Sequence, residues 1–192
     1  MQARYQGTES LRADFRQEAY NKALGRTRTA VGRVVIVKPG KMRWEYAQPD
    51  KRLIISDGTT LWLYFPASNQ VMIEAAAGQD DFVRAFLSGE GRLRQDFDLE
   101  KVEDSSQTQA DEYGLQLRPK VPHTTVTRML LFVDRQGLLV KRVTTFDILG
   151  NTTTLFLSNL EVNGDVEAGT FTFQPLAGVE IITSPAAPRP GR

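Results

Sequence analysis

The 192-residue chain has no cysteine, which excludes disulfides, thiolate metal sites and cysteine nucleophiles together. It has a single histidine, His123. A metal site or a Ser–His–Asp triad would have to be built on it. Nothing near it has the spacing for either, and its place beside Pro122 reads as a loop histidine. No stretch approaches the roughly 20 apolar residues of a membrane span. Neither sign of charge dominates. The 24 Lys and Arg nearly balance the 23 Asp and Glu, for a formal net charge of +1, so there is no broad basic field to favour nucleic acid or anionic lipid. KRLIIS and GRLRQ are basic spots too short for nucleic-acid binding. The carboxylates Asp80, Asp81, Asp96, Asp98, Asp104 and Asp147 are scattered and form no pair with a nucleophile or metal spacing. The glycines form neither G-x-G-x-x-G nor a P-loop. The opening MQARYQGTES has no apolar h-region and no small-residue cleavage site, so it does not read as an export signal. An exported protein would be present here as its mature region.

What the chain does have is alternation with period two. In LRADFRQEA, Leu11, Ala13, Phe15, Gln17 and Ala19 share one face, and Arg12, Asp14, Arg16 and Glu18 the other, as in a half-buried strand. In KMRWEY, Met42, Trp44 and Tyr46 oppose Lys41, Arg43 and Glu45. RLIIS and TTLWLYF flank Asp57-Gly58, a hairpin signal for a type I′ turn with positive φ at both central residues. That register pairs Ser56 with Thr59 and sets Ile54 opposite Leu61. Ile54, Leu61 and Leu63 then share one face, and Leu53, Ile55, Trp62 and Tyr64 the other. Both faces are apolar, and periodicity leaves open which looks inward. Further strands read at GRVVIV, NQVMIEA, FDLEKVE, YGLQLR, TVTRMLLFV, LLVKRVTTF and TTTLFLSNLEV. Arg135-Gln136-Gly137 and Gly150-Asn151 are the clearest later turns. In the MLLFV strand, Met129, Leu131 and Val133 oppose Leu130 and Phe132. Both sets are apolar, so one packs under a loop or forms an exposed patch.

Helical pattern is scarce. DDFVRAFLSG offers Asp80 or Asp81 as N-cap and Gly89 as a stop, with Phe82 and Phe86, and Val83 and Leu87, four apart on one greasy face. MQARYQ suits the last turns of a first helix, and DVEAGTFTF one short turn before Phe171 and Phe173. About eleven strands joined mostly by short turns predict a mainly β fold, an antiparallel meander with a helix or two. A closed small barrel fills itself with side chains. An incomplete one must cover its apolar face, and the amphipathic helix is the natural cover. No composition shift or repeat divides the chain. It reads as one domain over residues 1–183 with a disordered Pro-rich tail, SPAAPRPGR, at 184–192.

Several segments, in order, carry a family resemblance. LRADFRQ, then GRVVIVKPGKMRWEYAQPDKRLIISDGTTLWLYFPASNQV, then DILGNTTTLFLSNLEVN and FTFQPLAGVEI resemble the LolA family from about Tyr5 to Ile182. The most specific parts are K-P-G-x-x-R-W-x-Y, S-D-G-x-x-L-W-x-Y-x-P and G-N-x-T. The resemblance implies an unclosed, strongly curved antiparallel barrel lidded by short helices, with no enzyme activity, cofactor or metal. It implies a periplasmic carrier, monomeric, that takes triacylated lipoproteins from an inner-membrane ABC transporter of the LolCDE type and passes them to an outer-membrane LolB-type acceptor.

On that resemblance, the acyl-chain cavity is expected to be lined by Phe15, Val34, Ile36, Met42, Trp44, Tyr46, Leu61, Leu63, Met129 and Leu131. Phe82, Val83, Phe86 and Leu87 form the expected lid. Lys38 sits beside Pro39 where the family usually has an Arg that latches the lid. Arg presents a planar fork of donors and Lys a mobile point charge, so a shield held by Lys38 should open more readily. Two rival readings share the fold. An envelope-stress sensor of the RseB type usually has a second domain, for which this length leaves no room. A LolB-like acceptor needs a lipidated N-terminal cysteine and an exposed apolar loop after an early strand.

Overall fold

In a computed structural model, residues 7–76, 93–102, 108–122, 125–175 and 177–183 are described. The segment DDFVRAFLSG with Phe82, Val83, Phe86 and Leu87, the start MQARYQ, His123 and the Pro-rich end lie outside the described residues.

Twelve strands follow one another: β1 Ser10–Asn21, β2 Arg26–Val37, β3 Lys41–Gln48, β4 Arg52–Asp57, β5 Thr60–Phe65, β6 Gln70–Ala75, β7 Phe97–Lys101, β8 Glu112–Pro119, β9 Arg128–Asp134, β10 Val140–Phe146, β11 Thr152–Val162 and β12 Glu180–Thr183. Among the described residues, a one-turn helix, α1 Leu93–Asp96, precedes β7, and a 3-10 turn, Pro66–Ser68, joins β5 to β6. All twelve strands belong to one sheet, in the order β12-β6-β5-β4-β3-β2-β1-β11-β10-β9-β8-β7. Two meanders, β1 to β6 and β7 to β11, join where β1 lies beside β11. The end strands β12 and β7 do not pair with each other, so the sheet is mainly antiparallel and unclosed.

The strand not foreseen is β12, and it breaks the antiparallel rule by running parallel to β6. Four residues, EIIT, carry too little alternation to announce a strand. Distant contacts fix it. Asn69, in the left-handed region at φ 52, donates from Nδ2 to the Gly178 carbonyl at 2.7 Å. The Glu180 amide donates to the Asn69 carbonyl at 3.0 Å.

The hairpin between β4 and β5 also differs from its expected register. Ser56 lies opposite Leu61 and Ile54 opposite Leu63, so the turn is Gly58-Thr59, displaced by one residue. Gly58 has positive φ, at 100°, and Asp57 does not, which excludes the type I′ geometry. The displacement follows from the Asp57 carboxylate, whose Oδ1 accepts the amides of Thr59 and Thr60, each at 2.8 Å. Moving the turn by one residue moves each partner by two, so the faces survive the change.

By contacts the chain forms two compact units. One comprises Met1–Thr8, Phe15–Thr29 and Phe82–Ser158; the other comprises Glu9–Asp14, Ala30–Asp81 and Asn159–Arg192. In the second unit, β2 to β5 stack side chains in rows across the sheet: Val34, Trp44, Ile54 and Leu63 in one, Ile36, Met42, Ser56 and Leu61 in the next. Directly opposed residues share a face. Ile54, Leu61 and Leu63 continue the face of Trp44 and Met42. The other face is not left to solvent. Phe173 packs there against Tyr64 and Trp62, with ring centroids 5.5 and 6.4 Å apart. It follows the short turn expected in DVEAGTFTF, which is present at residues 168–171.

In the first unit, Leu131, Val143 and Leu155 make the corresponding row and are all buried. On the opposite face, Phe132 is only 1% exposed. Gly114 lies opposite it on β8, and a Cβ there would meet Val102 Cβ at 2.8 Å and Thr108 Cγ2 at 2.9 Å. The absent side chain is what leaves room for Val102 and Thr108 against this face of the sheet.

Candidate functional site

The expected lining residues fall on the apolar faces of these two units. In the second unit, Val34, Ile36, Met42, Trp44 and Leu61 are buried, while Tyr46 and Leu63 are half-buried. In the first, Phe15, Met129 and Leu131 are buried. The pleat requires this. Each of these strands points alternate residues to one side, and on that side these are nearly all aliphatic or aromatic.

Ser56 is the polar member of the inner rows and is fully buried between Met42 and Leu61. Its Oγ accepts the Gly58 amide at 3.1 Å. The face becomes polar at one border. In the row Gly32, Tyr46, Arg52, the Arg52 guanidinium stacks 3.9 Å from the centroid of the Tyr46 ring. Sequence reasoning grouped Ile54 with Leu61 and Leu63 but missed Ser56 and Arg52 as members of this face, and Val143, Leu155 and Leu157 in the first unit. The signal for the last three lay in the alternation of their strands. The signal for Ser56 required the register.

Lys38 occupies the turn after β2, half-buried, and its amide donates to the Glu9 carbonyl at 2.9 Å. The turn that holds it beside Pro39 is as expected. The partner that a latch needs, the lid, lies outside the described residues.

The reverse face of the second unit is charged. A groove of ≈ 440 Å³ there is bordered by Arg12, Asp14, Arg33, Arg43, Glu45 and Glu161 among others. The charges are largely paired with each other: Arg33 with Asp14 at 3.3 Å, and Arg43 with Glu45 at 2.6 Å. Asn159 Nδ2 donates to Asp14 at 2.7 Å. On the reverse face of the first unit, arginines lie over phenylalanines: Arg16 over Phe156 at 3.9 Å, Arg142 over Phe132 at 3.8 Å, and Arg128 over Phe146 at 3.9 Å. Stacking of this kind shields rings while keeping the cation hydrated.

Three carboxylates are held below the usual aspartate range, and each caps a hairpin turn. Burial pushes Asp57 up, but hydrogen bonds from Thr60 and Thr59 outweigh it. Asp134 is likewise raised by burial and lowered more by the amides of Gly137, Leu139 and Gln136 and by Lys141. Asp147 is lowered chiefly by the Asn151 side chain, then by backbone amides. The hydrogen bonds behind these shifts are those of the turns. Among the described residues, no three His, Asp or Glu side chains are grouped to hold a metal ion, and no helix is long and apolar enough to cross a membrane.

Comparison with known proteins adds the following. The family model of the outer membrane lipoprotein carrier protein LolA matches residues 6–174. A protein of Chromobacterium violaceum named outer-membrane lipoprotein carrier protein is 32% identical over 178 residues, 92% of this chain and 82% of that one. One of the same name from Nitrosospira multiformis is 30% identical, over 93% of this chain and 84% of its own. An uncharacterized conserved protein from Thermus thermophilus shares the fold with a TM-score of 0.62 at 12% identity, over 95% of each chain. A crystal structure of MucB shares it at 0.52 and 13% identity, over 94% of this chain and 63% of that one. The apolar face, the order of the strands and the sequence match over residues 6–174 lead to one assignment: the chain belongs to the LolA family of outer membrane lipoprotein carrier proteins.

Proposed function

We propose that the protein is a periplasmic carrier that shields the acyl chains of lipoproteins leaving the inner membrane and delivers them to the outer membrane. It receives cargo from a LolCDE-type transporter, surrenders it to a LolB-type acceptor, and acts by binding alone. One observation carries the reading. All ten expected lining residues sit on the apolar sheet faces of their units, buried or half-buried.

The chemistry needs no more than that. Burying a methylene is worth about 0.8 kcal/mol, so one 16-carbon chain represents about 12 kcal/mol that water would have to bear. A carrier replaces the bilayer with an apolar surface of its own. Release is eased when protein contacts compete with cargo for that surface, which is the role assigned to Phe82, Val83, Phe86 and Leu87, with Lys38 as latch.

The two tryptophans test it, because Trp44 lies on the proposed binding face and Trp62 on the opposite one. A lipopeptide with brominated acyl chains, added to Trp62→Phe protein, should quench Trp44 fluorescence. The same ligand should leave Trp62 fluorescence unchanged in Trp44→Phe protein. Equal quenching in both, or in neither, would refute the assignment of the face. Phe86→Glu should keep the fold and abolish retention of lipoprotein released from spheroplasts. Acyl binding without transfer to outer membranes would favour a sensor over a carrier.

A further inference from the structure

The four most exposed large hydrophobic side chains of the described residues are Val121, Leu149, Leu24 and Ile148, each between 68% and 76% exposed. They are not scattered. All belong to the first unit, and all lie in connections at one end of its strands. The start of β9, Arg128, lies opposite the end of β10, Phe146, which lies opposite the start of β11, Thr152. The Thr127 amide donates to the Phe146 carbonyl at 2.8 Å, which ties the β8–β9 connection to the β10–β11 turn. The Lys22 amide donates to Asn151 Oδ1 at 2.9 Å, which ties in the β1–β2 turn. Leu24, Val121 and the pair Ile148-Leu149 therefore project from three neighbouring tips.

Two of these tips are built to present them. The Asp147 carboxylate accepts the amides of Leu149 and Asn151 at 2.9 and 2.8 Å and the Asn151 side chain at 2.7 Å. Gly150 completes the turn at φ +79. In the other, the Leu24 amide donates to Asn21 Oδ1 at 2.9 Å, and Gly25 has φ +61. Ordered turns that hold aliphatic side chains in water run against the hydrophobic effect unless something else covers them.

Charge says what that is. The whole chain has a net charge of +1. Yet the tips themselves, residues 20–26, 120–122 and 147–151, hold Lys22, Arg26 and Lys120 against one acid, Asp147, whose carboxylate is spent inside its turn, while Arg118, further down β8, has Asp98 opposite it. Lys120 Nζ donates to the Arg94 carbonyl at 2.8 Å, which leaves its charge uncompensated by that partner. Aliphatic tips rimmed by cations match the interface of a bilayer with anionic headgroups. A protein partner would have to be shaped to three separate projections, whereas a bilayer need not be.

We propose that this end of the first unit docks on membranes containing anionic phospholipid. Leu24, Val121, Ile148 and Leu149 enter the boundary between headgroups and acyl chains, and Lys22, Arg26 and Lys120 lie among the phosphates. The inference does not depend on the carrier reading, since it concerns contact with a surface and not uptake of a chain. The test is flotation of the full chain with vesicles of phosphatidylcholine, alone or mixed equally with phosphatidylglycerol. The protein should float with the mixed vesicles at low salt and less at high salt. Ile148→Ser with Leu149→Ser should weaken binding about tenfold per side chain. Lys22→Glu with Arg26→Glu should weaken it at least about fivefold per cation removed. All four positions are solvent-facing, so circular dichroism and melting of the variants should match the parent.

Failure to float with the mixed vesicles at low salt would overturn the proposal. So would flotation that the tip variants do not weaken, because lipid would then be held at the apolar face and not at the tips. Self-association that Leu149→Ser abolishes would overturn it in favour of a second copy. Crosslinking from Ile148→Cys to a protein, without vesicle binding, would overturn it in favour of a protein partner.

Discussion

Arg142 offers a sharp test of how the first unit is held. Its guanidinium stacks on Phe132 at 3.8 Å, and Nη2 lies 3.6 Å from Glu112 Oε2. The Glu112 side chain is only 6% exposed, that of Arg142 25%. Arg142→Leu keeps an aliphatic cover on Phe132 but leaves the buried carboxylate without its cation. Breaking a buried pair from one side costs about 3–5 kcal/mol. Partial exposure of Arg142, and the Gln109 amide that still reaches Glu112 Oε2 at 3.3 Å, put this case at the low end of that range. Lost stacking adds about 1 kcal/mol. At about 2–4 °C per kcal/mol for a chain of this size, the melting temperature should fall by roughly 8–16 °C. The double variant Arg142→Leu, Glu112→Gln removes the orphaned charge and should regain about half of the loss. Urea unfolding of parent, both singles and the double gives the coupling directly. A loss under about 1 kcal/mol in the single variant, or strictly additive singles, would refute the pairing as a source of stability.

Other consequences follow from the turns and the close approach at β8. Gly114→Ala puts a methyl group into Val102 and Thr108 and should destabilise by about 1–3 kcal/mol, read as a lower urea midpoint. A neutral result would mean that the segment around Val102 moves aside at no cost. Asp57, Asp134 and Asp147 all have depressed pKa values in the folded state. Their stabilisation is therefore present above the unfolded aspartate value, 3.8, and is lost as pH falls through the lowered folded values. Urea midpoints should drop across that window. Asp134→Asn should flatten part of the drop, and an unchanged pH profile in that variant would argue against the capping role.

The sequence alone determined the sheet and its sidedness. Alternation in LRADFRQ and KMRWEY marked Leu11, Phe15, Met42 and Trp44 for one face, and the pleat obliges them to lie there whatever the register. Because a shift of two residues keeps parity, even the misplaced turn at Asp57-Gly58 left Ile54, Leu61 and Leu63 together. The tertiary structure decided what local pattern cannot encode. Both faces of the β4–β5 hairpin are apolar, and only the return of Phe173 onto Trp62 and Tyr64 shows which is covered from behind. The strand Glu180–Thr183 exists because Asn69 and Gln70 wait for it more than a hundred positions away in sequence. Ser56 looked like the end of a strand and is instead a buried hydroxyl capped by its own turn. The chemistry of the chain was legible in its residue types. Which of its apolar surfaces meet one another, and which are left facing water at Leu24, Ile148 and Leu149, was not, because burial depends on partners distant in sequence.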